Sequence, residues 1–203
     1  LANLLEDISP RAAKTGALGS EPVVHVLGSV MAETDFPWVV DPVWLPSRGA
    51  PLGEGDLVAR YQETIIPRAA LVTPNAGEAA RLTGGPVESL ADARRAAEDL
   101  ARLGAQAVLV KGGHLSSADR GTDVLWHDGV LAELPATEVV SGVFHGTGCA
   151  LSAAIATRLA FGDSISDAVA AAKVWLTEAL RSAFAVGSHA VPVNHLWQVA
   201  DKP

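Results

Sequence analysis

The chain has 203 residues, 49% of them hydrophobic and 19% charged, with a formal net charge of −8. That length suits one sizeable domain and the composition a well-buried globular fold, while an acidic balance without a Lys/Arg cluster argues against a nucleic-acid binder. Cys149 is the single cysteine, which excludes an internal disulfide and a multi-cysteine metal site. No stretch approaches the roughly 18 uninterrupted apolar residues of a membrane span. No basic-then-apolar signal opens the chain. The expectation is a soluble, cytoplasmic protein.

In chain order, residues 1–9 carry Leu1, Leu4, Leu5 and Ile8 at helical spacing and read as the tail of a helix. Strands are expected at 12–15, Trp38–Val40, 70–73, Ala107–Val110, 123–126 and Val130–Leu134. The first four are apolar without alternation, the pattern of parallel strands covered on both faces. Helices are expected between them at 22–30, 54–65, 76–82 and 89–103. The last has a capping box in Ser89 and Asp92, an apolar face in Leu90, Ala93, Ala97, Leu100 and Leu103, and a stop at Gly104. The turn signal His127-Asp128-Gly129 predicts a hairpin joining the last two strands. Helices at 147–160 and 166–184 follow, the second apolar almost all round and therefore expected to be buried. Alternating strands and helices predict an α/β layered sheet with a mostly parallel core. Without a repeat or linker, one domain spanning 1–203 is the economical reading.

Four segments can carry chemistry. In His145-Gly146-Thr147-Gly148-Cys149 two glycines enter an alanine-rich helix, and the unpaired amides of a helix start form an anion site. A thiol there is expected to favour its thiolate. A tight loop entering a buried helix, with Cys149 simply packed, fits the same residues. Thr73-Pro74-Asn75-Ala76-Gly77-Glu78 follows a strand, where open α/β sheets bind ligands, yet Asn75 and Glu78 also make an ordinary capping box. Asp41, before Pro42, is placed either to hold magnesium, directly or through water, or to open a turn. Lys111, before Gly112-Gly113-His114, can set a charge on a phosphate, or the glycines only make a turn. His25, His127, His189 and His195 have no ligand spacing, and Trp38, Trp44, Trp126, Trp175 and Trp197 suit core packing. Together the four segments share one sheet edge and hold what phosphoryl transfer needs: carboxylates, a lysine and an anion-binding helix start.

The order Lys14-Thr15-Gly16-Ala17-Leu18, Asp41-Pro42-Val43, Thr73-Pro74-Asn75-Ala76-Gly77-Glu78, Val110-Lys111-Gly112-Gly113-His114, His145-Gly146-Thr147-Gly148-Cys149 resembles the hydroxymethylpyrimidine phosphate kinase family of thiamine biosynthesis. The resemblance covers essentially the whole chain. It implies a ribokinase-like three-layer α/β/α sandwich that phosphorylates an aminopyrimidine alcohol, or its monophosphate, with ATP and Mg²⁺, commonly as a homodimer. It implies Cys149 as the base and the amides of Gly146, Thr147 and Gly148 as the anion hole. Asp41 and Glu78 would support magnesium. Lys111, Gly113, Asn75 and Thr147 would meet the nucleotide, and Ala17, Val43 and Cys149 the substrate.

Ala17 and Trp44 stand where the family usually has Met, and the family's first strand, Gly-Gly-Ala-Gly segment and lid residues have no counterpart before Leu1. The resemblance therefore implies a kinase domain incomplete at its N-terminus, expected to bind nucleotide better than it turns over substrate. A pyridoxal-type kinase and a non-catalytic ligand-binding domain are the alternatives.

Overall fold

The computed structural model describes residues 2–43, 53–54, 57–115, 119–136, 138–188 and 190–199, so the expectations for Trp44 and His189 lie outside the described residues. The chain runs through α1 (Ala2–Asp7), β1 (Ala13–Thr15), β2 (Gly19–Ser20), α2 (Glu21–Ala32), β3 (Trp38–Val40) and β4 (Gly53–Glu54). Next, α3 (Leu57–Arg60) continues through a π turn (Tyr61–Ile65) and a 3₁₀ turn (Ile66–Arg68) into β5 (Leu71–Val72). After these come α4 (Ala76–Thr83), α5 (Leu90–Arg102), β6 (Ala107–Val110), β7 (Asp123–His127) and β8 (Val130–Leu134). The chain closes with β9 (Phe144–His145), α6 (Thr147–Ala160), α7 (Ile165–Arg181) and β10 (Val191–Pro192).

The main sheet has the order β1-β3-β5-β6-β7-β8. Its first four strands are parallel, and β7 and β8 form the expected antiparallel hairpin beside them. Asp128 (φ 51°) and Gly129 (φ 78°) both take left-handed backbone in the hairpin turn, which matches the right-handed twist of the two strands.

Strand side chains alternate between two cores. Trp38, Val40, Val72, Val108, Val110 and Val124 face α2, the 57–68 segment, α4 and α5. Val39, Leu71, Ala107, Leu109 and Leu125 face Leu151, Ile155 and Ala156 of α6 and Ala168, Val169 and Ala172 of α7. This is the expected α/β/α sandwich, and each fully buried Val, Leu or Ile contributes about 1.5–3 kcal/mol.

Three expectations need correction. Glu54 belongs to a short strand rather than to a helix running over 54–65, and that helix continues as a π turn. The last helix ends at Arg181 and is buried along one stripe only: Val174 is 58% exposed. Its alanines read as apolar in sequence but suit a solvent-facing helix surface equally well. Finally, the two-residue pairs β2–β4 and β9–β10 were not expected. The second ties the C-terminal segment to the loop that enters α6.

Candidate active site

The parallel register brings the carboxyl ends of β1, β3, β5 and β6 side by side. Asp41 follows β3 there and is fully buried, a placement costing several kcal/mol unless the carboxylate is paired. The pairing is dense. Lys111 Nζ, after β6, donates to Oδ1 at 2.9 Å, and Thr73 Oγ1, after β5, lies 3.5 Å from the same oxygen. Ser152 Oγ of α6 donates to Oδ2 at 3.2 Å, and Lys14 Nζ of β1 is 3.8 Å from Oδ2.

Glu78 joins this group from α4. Asn75 caps that helix through its side chain, accepting from Glu78 N at 2.9 Å, while Asn75 N donates to Glu78 Oε2 at 2.7 Å. The same Oε2 is 4.0 Å from Lys111 Nζ. Burial pushes the Glu78 carboxyl up; Lys111 and the Asn75 amide pull it down, and Asp41 adds a smaller upward push. Burial, followed by Asp41 and Glu78, raises the Tyr61 phenol above its ordinary 10.0.

At the start of α6, Gly146 takes φ 83° at the cap position, and no side chain caps the helix. The first amide bonded back into the helix is that of Ala150, to Gly146 O at 2.9 Å. The amides of Thr147, Gly148 and Cys149 precede it, where donors and the positive end of the helix dipole favour an anion. A Cβ added to Gly148 would come within 3.0 Å of Lys111 Nζ. The lysine thus lies against the helix start and between two carboxylates.

Cys149 corrects the expected thiolate. It is exposed, yet partial burial and then Asp41 raise its thiol pKa, with Lys14 opposing them. Burial first, and the nearby carboxylate second, set the direction.

The other residues singled out in the sequence have looser places. Asn75 bridges its backbone to Lys111 while its side chain serves the cap. Gly113 is exposed in open space, Ala17 is exposed beyond β1, and Val43 is half-buried with its amide donating to Asp41 O at 2.8 Å. Lys14, Thr73 and Ser152 carried no role in the sequence reading, yet all three touch Asp41. Ser152 stands three residues past Cys149, a spacing that places both on neighbouring positions of one helix face.

A model of the phosphomethylpyrimidine kinase family matches residues 1–194. The chain belongs to that family. The hydroxymethylpyrimidine/phosphomethylpyrimidine kinase of Bacillus subtilis is 37% identical over 191 residues, covering 94% of this chain and 70% of that protein. The thiamine biosynthesis bifunctional protein ThiED of Geobacter sulfurreducens is 39% identical over 199 residues, 98% of this chain and 40% of its own length. Among solved structures, the pyridoxal kinase of Staphylococcus aureus in complex with AMP-PCP and pyridoxal superposes with a TM-score of 0.86 at 30% identity, covering 97% of this chain and 72% of that one. The ribokinase-like architecture expected from the sequence is therefore borne out. Among the described residues, no helix is long and apolar enough to cross a membrane.

Proposed function

We propose that this phosphomethylpyrimidine kinase family member phosphorylates 4-amino-5-hydroxymethyl-2-methylpyrimidine, its monophosphate, or both, using ATP and Mg²⁺ in thiamine biosynthesis. Residues 1–203 belong to one kinase domain, which acts in the cytoplasm and as a homodimer. The observation that carries the catalytic reading is the position of Lys111 Nζ, against the start of α6 and beside Asp41 and Glu78. An ammonium, a helix start and two carboxylates in one place suit a transferring phosphoryl group with its counter-ion. Names of sequence relatives support the pyrimidine over pyridoxal.

In this reading the amides of Gly146, Thr147 and Gly148 hold the transferring group as its charge develops. Lys111, with Asn75, Thr147 and Gly113 around it, meets the ATP phosphates. The Cys149 thiolate, which Lys14 favours, accepts the proton of the attacking hydroxyl and becomes the thiol. Ala17 and Val43 flank the substrate. Asp41 and Glu78 would hold a hard cation through their oxygens, since both carboxylates are buried and both reach the same Lys111 ammonium. Magnesium supplies charge neutralisation there when bound.

Pyridoxal phosphorylation is the second reading, favoured by the close superposition on the S. aureus pyridoxal kinase. A coupled assay on both alcohols and on the pyrimidine monophosphate decides between them. Turnover of the monophosphate is expected, since a pyridoxal kinase has no second phosphate to add. Cys149→Ala is expected to lower turnover about 100- to 10,000-fold while nucleotide still binds. Unchanged turnover would leave Cys149 without its role as base.

A further inference from the structure

Outside the Asp41 group, another ion pair, its lysine and aspartate side chains 17% and 11% exposed, reaches the turn that follows Lys111. Lys173, from the middle of α7, places Nζ 2.5 Å from Asp123 Oδ2 and 3.0 Å from the Gly121 carbonyl. Asp123 opens β7, and its Oδ1 accepts from the Gly112 amide at 2.8 Å. Gly112 in turn accepts from the Gly121 amide at 3.0 Å. A Cβ at position 112 would run into the Thr122 carbonyl, so the two backbones are in direct contact.

The consequence falls on Lys111. Its own amide donates to the Pro74 carbonyl at 2.8 Å, and the next amide, Gly112, is held by Asp123. Both peptide planes flanking its Cα are thereby fixed, at φ −77° and ψ 121°. Fixing those planes fixes the Cα–Cβ direction, and with it where the side chain is aimed. The aim is towards the start of α6 and Asp41. Asp123 itself is buried, and a buried carboxylate held by a partly buried ammonium is an expensive arrangement for a turn, since breaking the pair leaves an uncompensated charge.

We propose that Asp123 and Lys173 are positioning residues for the Lys111 ammonium, so that an ion pair between β7 and α7 sets nucleotide affinity without touching the nucleotide. The proposal rests on the reading that Lys111 meets the ATP phosphates.

Calorimetric titration of the full chain with a non-hydrolysable ATP analogue tests it through a double-mutant cycle. Asp123→Asn and Lys173→Met each weaken analogue binding about tenfold, the usual scale for an outer partner of a binding group. Lys173→Arg, which keeps charge and reach, recovers most of the loss. In a Lys111→Met background neither change weakens binding further, because the group they aim is gone. A merely structural role would instead add its loss in both backgrounds, and that additivity would overturn the proposal. Wild-type affinity in folded Asp123→Asn and Lys173→Met would do the same. Should Lys173→Met fail to fold, Asp123→Glu, which moves the carboxylate by one methylene, takes its place in the cycle. Unaltered analogue binding by Lys111→Met alone sinks the phosphate reading of Lys111 and this inference with it. A loss there, with none from Asp123 or Lys173, sinks this inference only.

Discussion

Two helices of this molecule start with the same device in very different surroundings. Asn75 and Glu78 box the start of α4, and Ser89 and Asp92 box the start of α5; in both, side chain and backbone exchange hydrogen bonds across three residues. Yet the two acids shift in opposite directions. Glu78 is pushed up, burial first among the causes, while Asp92 is held down, above all by the Ser89 hydroxyl and then by the Glu88 amide. The difference lies in what surrounds the box. Glu78 is 4% exposed and shares Lys111 with Asp41, whereas Asp92 adds only Arg95 on the surface. A local motif therefore fixes how a helix begins, and its position relative to the sheet edge fixes whether it can also do chemistry.

The largest separation between the boxes is expected in turnover. Glu78→Gln keeps the cap but removes a charge from the Lys111 and Asp41 group, and should lower kcat/KM about 10- to 100-fold. Asp92→Asn, on the surface, should stay within about twofold of wild type. Steady-state kinetics on the pyrimidine alcohol measure both. Equal losses would erase the distinction drawn between the boxes.

Stability against pH should separate them next, with opposite signs. The folded Glu78 carboxyl lies above its ordinary 4.5, so its contribution is present below 4.5 and is lost as pH rises through the folded value. Gln cannot titrate, so Glu78→Gln should gain on wild type as pH rises. The folded Asp92 carboxyl lies below its ordinary 3.8; its contribution is present above 3.8 and is lost as pH falls through the folded value. Asp92→Asn should therefore lose to wild type as pH rises through that window. Urea unfolding from about pH 3 to about pH 8 gives both difference curves. Slopes of the same sign would contradict the burial-driven account of Glu78.

Both boxes were legible in the sequence, since Asn75–Glu78 and Ser89–Asp92 are three-residue spacings that a reader can find without a structure. So were the parallel core, whose strands are apolar on both faces, and the hairpin, whose Asp128-Gly129 turn allows little else. The convergence of Asp41, Lys111, Glu78 and the start of α6 followed from one rule about strand ends. Harder to see was Ser152, a serine in an alanine-rich helix with nothing in its neighbours to mark it. Lys173 and Asp123 are 50 residues apart, and no local pattern predicts a pairing over that distance. The two-residue strands β9 and β10 are too short for any periodicity. The Cys149 thiol was misjudged because the helix start is written in the sequence, while its partial burial and the Asp41 carboxylate, which follows another strand, are not.

The smallest effect concerns the outer box alone. Ser89 Oγ accepts from the Asp92 amide at 3.2 Å, satisfying one of the donors that a helix start leaves open. Ser89→Ala removes that acceptor and also the hydroxyl that donates to Asp92 Oδ2 at 2.7 Å. The loss should cost about 1 kcal/mol, which for a chain of this size lowers Tm by roughly 2–4 °C. Ser89→Thr, which keeps the hydroxyl, should recover most of it. Kinetic constants should not move in either variant, because α5 packs Ala93, Ala96, Ala97 and Leu100 into the core on the sheet face opposite α6. A change in KM for ATP on Ser89→Ala would mean that the start of α5 communicates with the Lys111 turn, and the division between a structural box and a chemical one would no longer hold.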